Sequence, residues 1–449
     1  MNIREKYKNA LPELPEGITG AEAEGRREII LSLSVSDKEI TSSKSSDVTT
    51  VSVRVQTGSG VGFAFSQDLE EPAEAVFIRA YEGGLAAGKE TAVFGAEEKL
   101  SAVCPGELMS VQKAVETAAQ MERWAHEAAP DKVAQAEITV SSYKTENWTV
   151  NTNGLDTEAS SVWYDCTAEI VLCIEGKTYN CSWCTSCRSP EAILASKDDM
   201  QRSIKRNIVS KGEPVNFESG SYRAILSRES LCQMLVCMWQ PFSGVRQMEG
   251  KSCVSNLMGQ AVASPVLNIT DASVLPGCGY SRRLDTEGAT GNTTEIIKNG
   301  VLTGRMHNRK SASFFNEQPT GNAARAEGFF SGLPTGNTAS PNVTYIVPGK
   351  MREDNMLEML GDGVWITETH DPFHSIEPTS GDFAIPCNGV LIKNGRPAGI
   401  LNSLTITGNL LELWKNIEAV GDTNLFWRFY TGLYYLGGAD ILVSKLQIN

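Results

Sequence analysis

The chain has 449 residues, with 54 acidic against 40 basic side chains and a formal net charge of -14 at pH 7. That length predicts about three domains of roughly 150 residues, or two larger ones, and a composition of 41% hydrophobic and 21% charged residues excludes a disordered chain. The acid excess belongs to residues 1–200, which hold 32 acids and 18 bases, whereas residues 201–449 hold 22 of each. Such a surface repels phosphate backbones and anionic headgroups, so the expectation is no direct nucleic-acid contact and no membrane binding.

The N-terminus is charged on both signs and carries no apolar leader-like run, and no window approaches the roughly 18 apolar residues that a membrane helix needs. The expected location is therefore cytoplasmic. Eleven cysteines cannot all pair internally, and thiols are expected rather than disulfides.

In chain order, β-branched runs at 28–36 and 48–57 predict strands, the second leading through Gly58, Gly60 and Gly62 into another strand-like run. A phosphate loop would open a helix at such glycines, so a hairpin turn is the better reading. Residues 72–87 and 107–128 have helical periodicity, the second stopped by Pro130. On that helix His126 lies one turn after Glu122, a pair read as surface electrostatics. Strands follow near 136–151 and 160–174, and Ser189-Pro190 then caps a helix through Ile193, Leu194, Ile204 and Ile208. Dispersed bases between Arg202 and Arg246 have no interleaved aromatics and are read as a solvated helix face. These elements predict an N-terminal α/β domain over 1–212.

Residues 213–449 turn to glycine, asparagine and threonine between short strands. Asn299-Gly300 and Asn394-Gly395 each separate apolar runs and predict tight hairpins. Pro-Thr-Gly-Asn segments at 319–322 and 334–337 punctuate a loop-rich stretch, and Asn409 caps a short apolar-faced helix. The expected second unit is an antiparallel-sheet domain, giving an α+β chain.

Histidine is scarce: His126, His307, His370 and His374. His307 falls in a predicted strand with no evident partner. His370 and His374 would share a helix face and could ligate a metal with Glu377 or Cys387, but Asp371-Pro372 biases the segment to a turn, leaving a substrate-lining loop or plain loop packing as alternatives. Cys181, Cys184 and Cys187 lack a fourth nearby ligand, and on a strand Cys181 and Cys187 face one side and Cys184 the other. Structural cysteines are the favoured reading, with a Cys/His nucleophile left open.

From Asp285 the residues become specific. Asp285-Thr-Glu287-Gly288, Lys298-Asn-Gly300, Thr320-Gly-Asn322-Ala-Ala-Arg325, Ser380-Gly-Asp382-Phe383, Asn388-Gly389 and Thr407-Gly-Asn409 occur in the order that resembles the TldD/PmbA family. The resemblance covers about 280–421 and is only architectural before that. In the TldD branch it implies an HExxxH helix binding zinc, a general-base glutamate and a C-terminal cysteine ligand. The matching region here, Ser227 to Gly244, has no histidine, and no cysteine follows Cys387. The chain thus resembles the PmbA branch, also called TldE. This implies a metalloprotease-family chain without its own zinc, the metal being expected in a TldD-like partner, with a self-dimer as the other assembly and a peptide as substrate. The family's label as a modulator of DNA gyrase finds no DNA-contacting feature here. No catalytic residue is assigned; the alternatives are a stand-alone peptidase with a displaced site around His370, His374 and Cys387, or a non-enzymatic regulatory or binding protein. Asn322 and Arg325, with His370 and His374, are the candidate substrate-lining residues.

Overall fold

The computed structural model describes residues 2–104, 106–327, 334–428 and 435–449. Strands β1 (Ile18–Ser36) and β2 (Glu39–Thr57) form a hairpin with 19 residues in each arm. Its turn is Asp37-Lys38, both at positive φ (52° and 65°), as a two-residue hairpin turn requires. Glu122 secures it, accepting the backbone N–H of Asp37 at 2.5 Å and of Lys38 at 3.3 Å. Glu122 is thus a buried turn anchor and not a surface partner of His126.

The sheet continues with β3 (Val61–Ser66), β4 (Glu98–Ala102), β5 (Val133–Asn151), β6 (Leu155–Ile174) and β7 (Lys177–Cys187). Its order is β3-β2-β1-β5-β6-β4, with β7 also on β6, and every pairing is antiparallel except β4–β6. Helices Ala73–Ala86 and Val111–Ala128 stand where the periodicity predicts them. Thr57 closes the glycine turn before β3 through its N–H to the Gly60 carbonyl (2.8 Å), so this glycine cluster is a hairpin. Ser189 caps the helix Pro190–Leu194, which leads into the helix Lys197–Val209. Ile193, Met200 and Ile204 from these helices join the core of the first sheet.

The second sheet is built from β8 (Gly220–Leu226), β9 (Ile269–Ala272), β10 (Thr293–Lys298) and β11 (Val301–Leu302). Beyond a separate two-stranded ribbon of β12 (Ala323–Glu327) and β13 (Pro334–Ala339), it gains β14 (Val343–Ile346), β15 (Gly363–Thr369), β16 (Asp382–Lys393) and β17 (Arg396–Asn409). The last strands are β18 (Ile417–Arg428) and β19 (Tyr435–Ile448). Strand β8 pairs with both β15 and β19, so the path β19-β17-β16-β15-β8 returns on itself and leaves no free edge there. Asn299-Gly300 (φ 49° and 78°) and Asn394-Gly395 (φ 50° and 71°) form the two expected hairpin turns. The 334–337 segment is a strand rather than a loop, because it pairs with 323–327. The architecture is mixed α+β with large antiparallel sheets.

A largely buried helix, Arg228–Met238, follows β8 and lies on β19. Gly438 permits this approach: a Cβ there would stand 2.2 Å from the Arg228 carbonyl oxygen. Among the described residues, no helix is long and apolar enough to cross a membrane.

Candidate functional site

A cavity of about 950 Å³ lies between the two sheets. One wall is the inner face of the long hairpins, with Glu24, Arg26, Glu28 and Tyr143. Asp165, Cys184 and Ser186 enter from β6 and β7, and the opposite wall is the 280–286 loop with Arg325 and the end of β18. Both halves of the chain therefore contribute to it.

At the base, Trp163 Nε1 donates to the Tyr435 hydroxyl (2.8 Å), which donates to Asp165 Oδ2 (2.5 Å). Burial pushes the Asp165 carboxyl above its ordinary range, and burial with the Asp165 charge pushes the Tyr435 phenol well above its own. The proton therefore stays on Tyr435, as the hydrogen bond needs. Tyr143 stacks on Trp163 with centroids 4.9 Å apart, and the Arg428 guanidinium lies 4.8 Å from the Tyr143 ring centre.

Beside the cavity, Arg54 of β2 pairs with Glu22 at 3.0 Å and with Glu287 of the second half at 2.8 Å, and all three are buried. Arg325 reaches across to the Ser52 hydroxyl at 3.0 Å, with Glu22 and Glu24 each at 3.6 Å. Asp285 takes the backbone N–H groups of Glu287 and Ala289, both at 2.9 Å, and of Ala323 at 3.0 Å. Burial, with Glu287 nearby, still pushes its carboxyl up to about 6.

The helix Arg228–Met238 is the segment that resembles the zinc-bearing helix of the TldD branch, and its end residue Trp239 lines the cavity. Its donor set does not fit a metal. Arg228 pairs with Asp199 at 2.7 Å and with Glu229 at 3.1 Å. Arg206 lies 3.6 Å from Glu229, 2.8 Å from Asp440 and 3.4 Å from Glu353. Burial alone would raise Glu229, but the Arg206 and Arg228 guanidinium groups hold its carboxyl below the ordinary range. The carboxylates a metal would need are thus matched to permanent cations, and the helix offers no imidazole.

Among the candidates from sequence, Arg325 lines the cavity. Asn322 is fully buried: its Nδ2 donates to Asp271 (2.7 Å) and to the Ser340 carbonyl (3.0 Å), and its Oδ1 accepts from Thr320 (2.6 Å). His370 lies 3.2 Å from the Asn388 amide, and the exposed His374 bonds to Asp371 at 2.7 Å. Neither ring lines the cavity, and Cys387 is buried in the core of the second sheet. Cys181 and Cys187 point into the first core while Cys184 faces the cavity, the parity that strand alternation predicts. His307 is not in a strand. Its Nδ1 meets Ser311 at 2.9 Å and its Nε2 meets Glu317 at 2.8 Å. This is the order of a nucleophile triad, but Ser311 is fully buried and the set does not line the cavity between the sheets. Arg282 and Asp165 went unnoticed in the sequence, where nothing local distinguishes them.

A family model described as the PmbA/TldA metallopeptidase C-terminal domain matches residues 219–449, and that for domain 1 matches residues 21–83. The chain belongs to the PmbA/TldD metallopeptidase family. It is 28% identical over 175 residues to a metalloprotease of Methanothermobacter thermautotrophicus, a stretch covering 39% of this chain and 37% of that protein. The matched region thus spans little more than a third of the relative's length. Two solved structures share the fold over nearly their whole length. TldE from Thermococcus kodakarensis has a TM-score of 0.81 at 18% identity, covering 98% of this chain and 99% of that one. A proposed modulator of a DNA gyrase from Thermotoga maritima has a TM-score of 0.81 at 22% identity, covering 100% and 99%.

Proposed function

We propose that this chain is a PmbA/TldE-type subunit of a cytoplasmic peptide-processing complex, in which a TldD-like partner supplies the zinc and this chain supplies a substrate-holding cavity. The observation that carries the reading is the helix Arg228–Met238, where guanidinium groups take up the carboxylates and no imidazole is offered. When bound in the partner, the metal would activate water for attack on a peptide bond. The residues of this chain take no part in that step. They wall the cavity with aromatic rings and with arginine and carboxyl groups that orient a peptide backbone and exclude water.

The test is metal analysis of the purified chain, with peptide cleavage measured alone and after mixing with a TldD-type subunit. The expected outcome is no stoichiometric zinc, no cleavage alone, and cleavage by the mixture. Stoichiometric zinc with cleavage by the isolated chain overturns the proposal. Failure to associate with any TldD-type chain turns the reading toward a regulatory or binding protein.

A further inference from the structure

Five arginines are buried among the described residues: Arg54, Arg206, Arg228, Arg282 and Arg305. Four of them hold a carboxylate: Arg54 has Glu22 and Glu287, Arg206 has Asp440, Arg228 has Asp199, and Arg305 has Glu317. Arg282 is the exception. It is 7% exposed and forms no ion pair among the described residues. Its Nε donates to Asn342 Oδ1 at 2.6 Å, which fixes the plane of the group, while Nη2 is buried with no hydrogen-bond partner. Asn342 cannot swing away, because its own Nδ2 donates to Asp271 and to the Gly321 carbonyl. The buried Asp271 and Asp285 carboxylates feel this charge, but neither forms an ion pair with it, and a buried donor left without a hydrogen bond is costly.

Arg282 lines the cavity between the sheets. Other cavity-lining groups also carry buried polar atoms with no hydrogen-bond partner: the Thr286 hydroxyl, four residues along the same loop, the Ser186 hydroxyl, and Arg325 Nη2, which lies 3.6 Å from Glu22. Residues with hydrogen-bonding capacity left over therefore line one chamber. The site is not built for a dianion, because Glu24, Glu28, Asp165 and Asp285 also face the space. A planar, singly charged acceptor suits an oriented guanidinium edge and a hydroxyl. Tyr280, Trp427 and Tyr435 add aromatic surface on the same walls.

We infer that the cavity binds a carboxylate-bearing peptide whose carboxylate is held by Arg282 with Thr286 and Arg325. This rests on the peptide reading above but not on the partner or on any cleavage. The carboxylate can be a C-terminal group or an acidic side chain, and the test separates the two.

The experiment is isothermal titration of the full chain, without partner, with three probes. They are N-acetylated Ala-Ala-Phe-Ala with a free C-terminus, the same peptide amidated, and the amidated peptide with Glu in place of its second residue. The free acid or the Glu peptide is expected to bind about tenfold or more tightly than the neutral amide, equivalent to about 1.4 kcal/mol. Whichever of the two binds names the source of the carboxylate. Arg282→Gln should abolish the discrimination. Equal binding of acid and amide, no binding of any probe, or inorganic phosphate outcompeting the free acid overturns the inference. So does discrimination that survives in Arg282→Gln. The wild-type comparison of acid with amide stands even if the variant fails to fold. Discrimination by the chain alone without cleavage in the mixed complex leaves this inference standing and sinks the peptidase-subunit reading. Cleavage of the neutral amide without discrimination does the reverse.

Discussion

Replacing Arg54 with methionine tests the joint between the two halves. Arg54 is the shared cation of Glu22 and Glu287, which are both fully buried. Methionine fills much of the same volume but leaves two carboxylates without their counter-ion. Breaking a buried pair by removing one partner costs about 3–5 kcal/mol. For a unit of about 200 residues that lowers the midpoint by about 6–20 °C. The loss must depend on pH. Burial already pushes the Glu22 carboxyl above its ordinary range, and Arg54 is the strongest pull in the other direction. A carboxyl whose folded value is raised contributes stability at low pH that is lost as pH rises through that value. Without Arg54 the folded value climbs further, so the variant should lose most at pH 8 and least at pH 5. Urea unfolding followed by tryptophan fluorescence at both pH values measures this, and adding Glu22→Gln should flatten the difference. A loss below about 1 kcal/mol, or one equal at both pH values, would refute the claim that this cluster is dry and charge-matched.

Tyr435→Phe removes both the donor to Asp165 and the acceptor of Trp163. It should destabilise by about 1–3 kcal/mol for each buried group left unmatched, read as a lower urea midpoint. Asp285 is pushed up to about 6, so its contribution is present below the ordinary carboxylate range and fades as pH rises through about 6. The wild type should lose stability between pH 5 and pH 7 by an amount that Asp285→Asn does not show. His370→Ala and His374→Ala should each change stability by no more than about 0.5 kcal/mol and leave cleavage by the mixed complex unchanged. Loss of cleavage in either variant would move the chemistry to that loop.

Local chemistry was legible wherever a few neighbouring residues decide the outcome. The Asn-Gly turns at 299–300 and 394–395 need positive φ at both positions, and few other pairs supply it. The parity of Cys181, Cys184 and Cys187 follows from strand alternation alone. Features set by distant partners were not legible. Apart from Ile40, residues 39–47 are serine, threonine and charged residues, almost all exposed and without alternation, and they are extended because β1 pairs with them. Pro334–Ala339 reads as a turn cluster and becomes a strand by pairing with Ala323–Glu327. Glu122 looks like a surface acid until a hairpin tip 84 and 85 positions earlier in the chain is brought against it. The orientation of Arg282 depends on Asn342, 60 residues away, which no local window of sequence contains.

The arginines around the buried helix tie these observations together. Arg206 sits on a helix of the first half, whereas Asp440 and Glu353 belong to the second, so this cluster is a second joint between the halves. Asp440 also accepts the backbone N–H of Arg228 at 2.7 Å, which ties the start of the helix to β19. A divalent ion placed here would have to displace guanidinium groups that already neutralise Glu229 and Asp199, with no imidazole to complete its shell. Fixed cations thus give this chain a rigid seam where a metal would give reactivity. The seam and the Arg54 cluster hold the two sheets together, and the separation they set is the width of the cavity. On the proposed reading the metal belongs to a partner, and Arg282, oriented by Asn342 and with Nη2 lacking a hydrogen-bond partner, is the cavity cation proposed to hold the substrate.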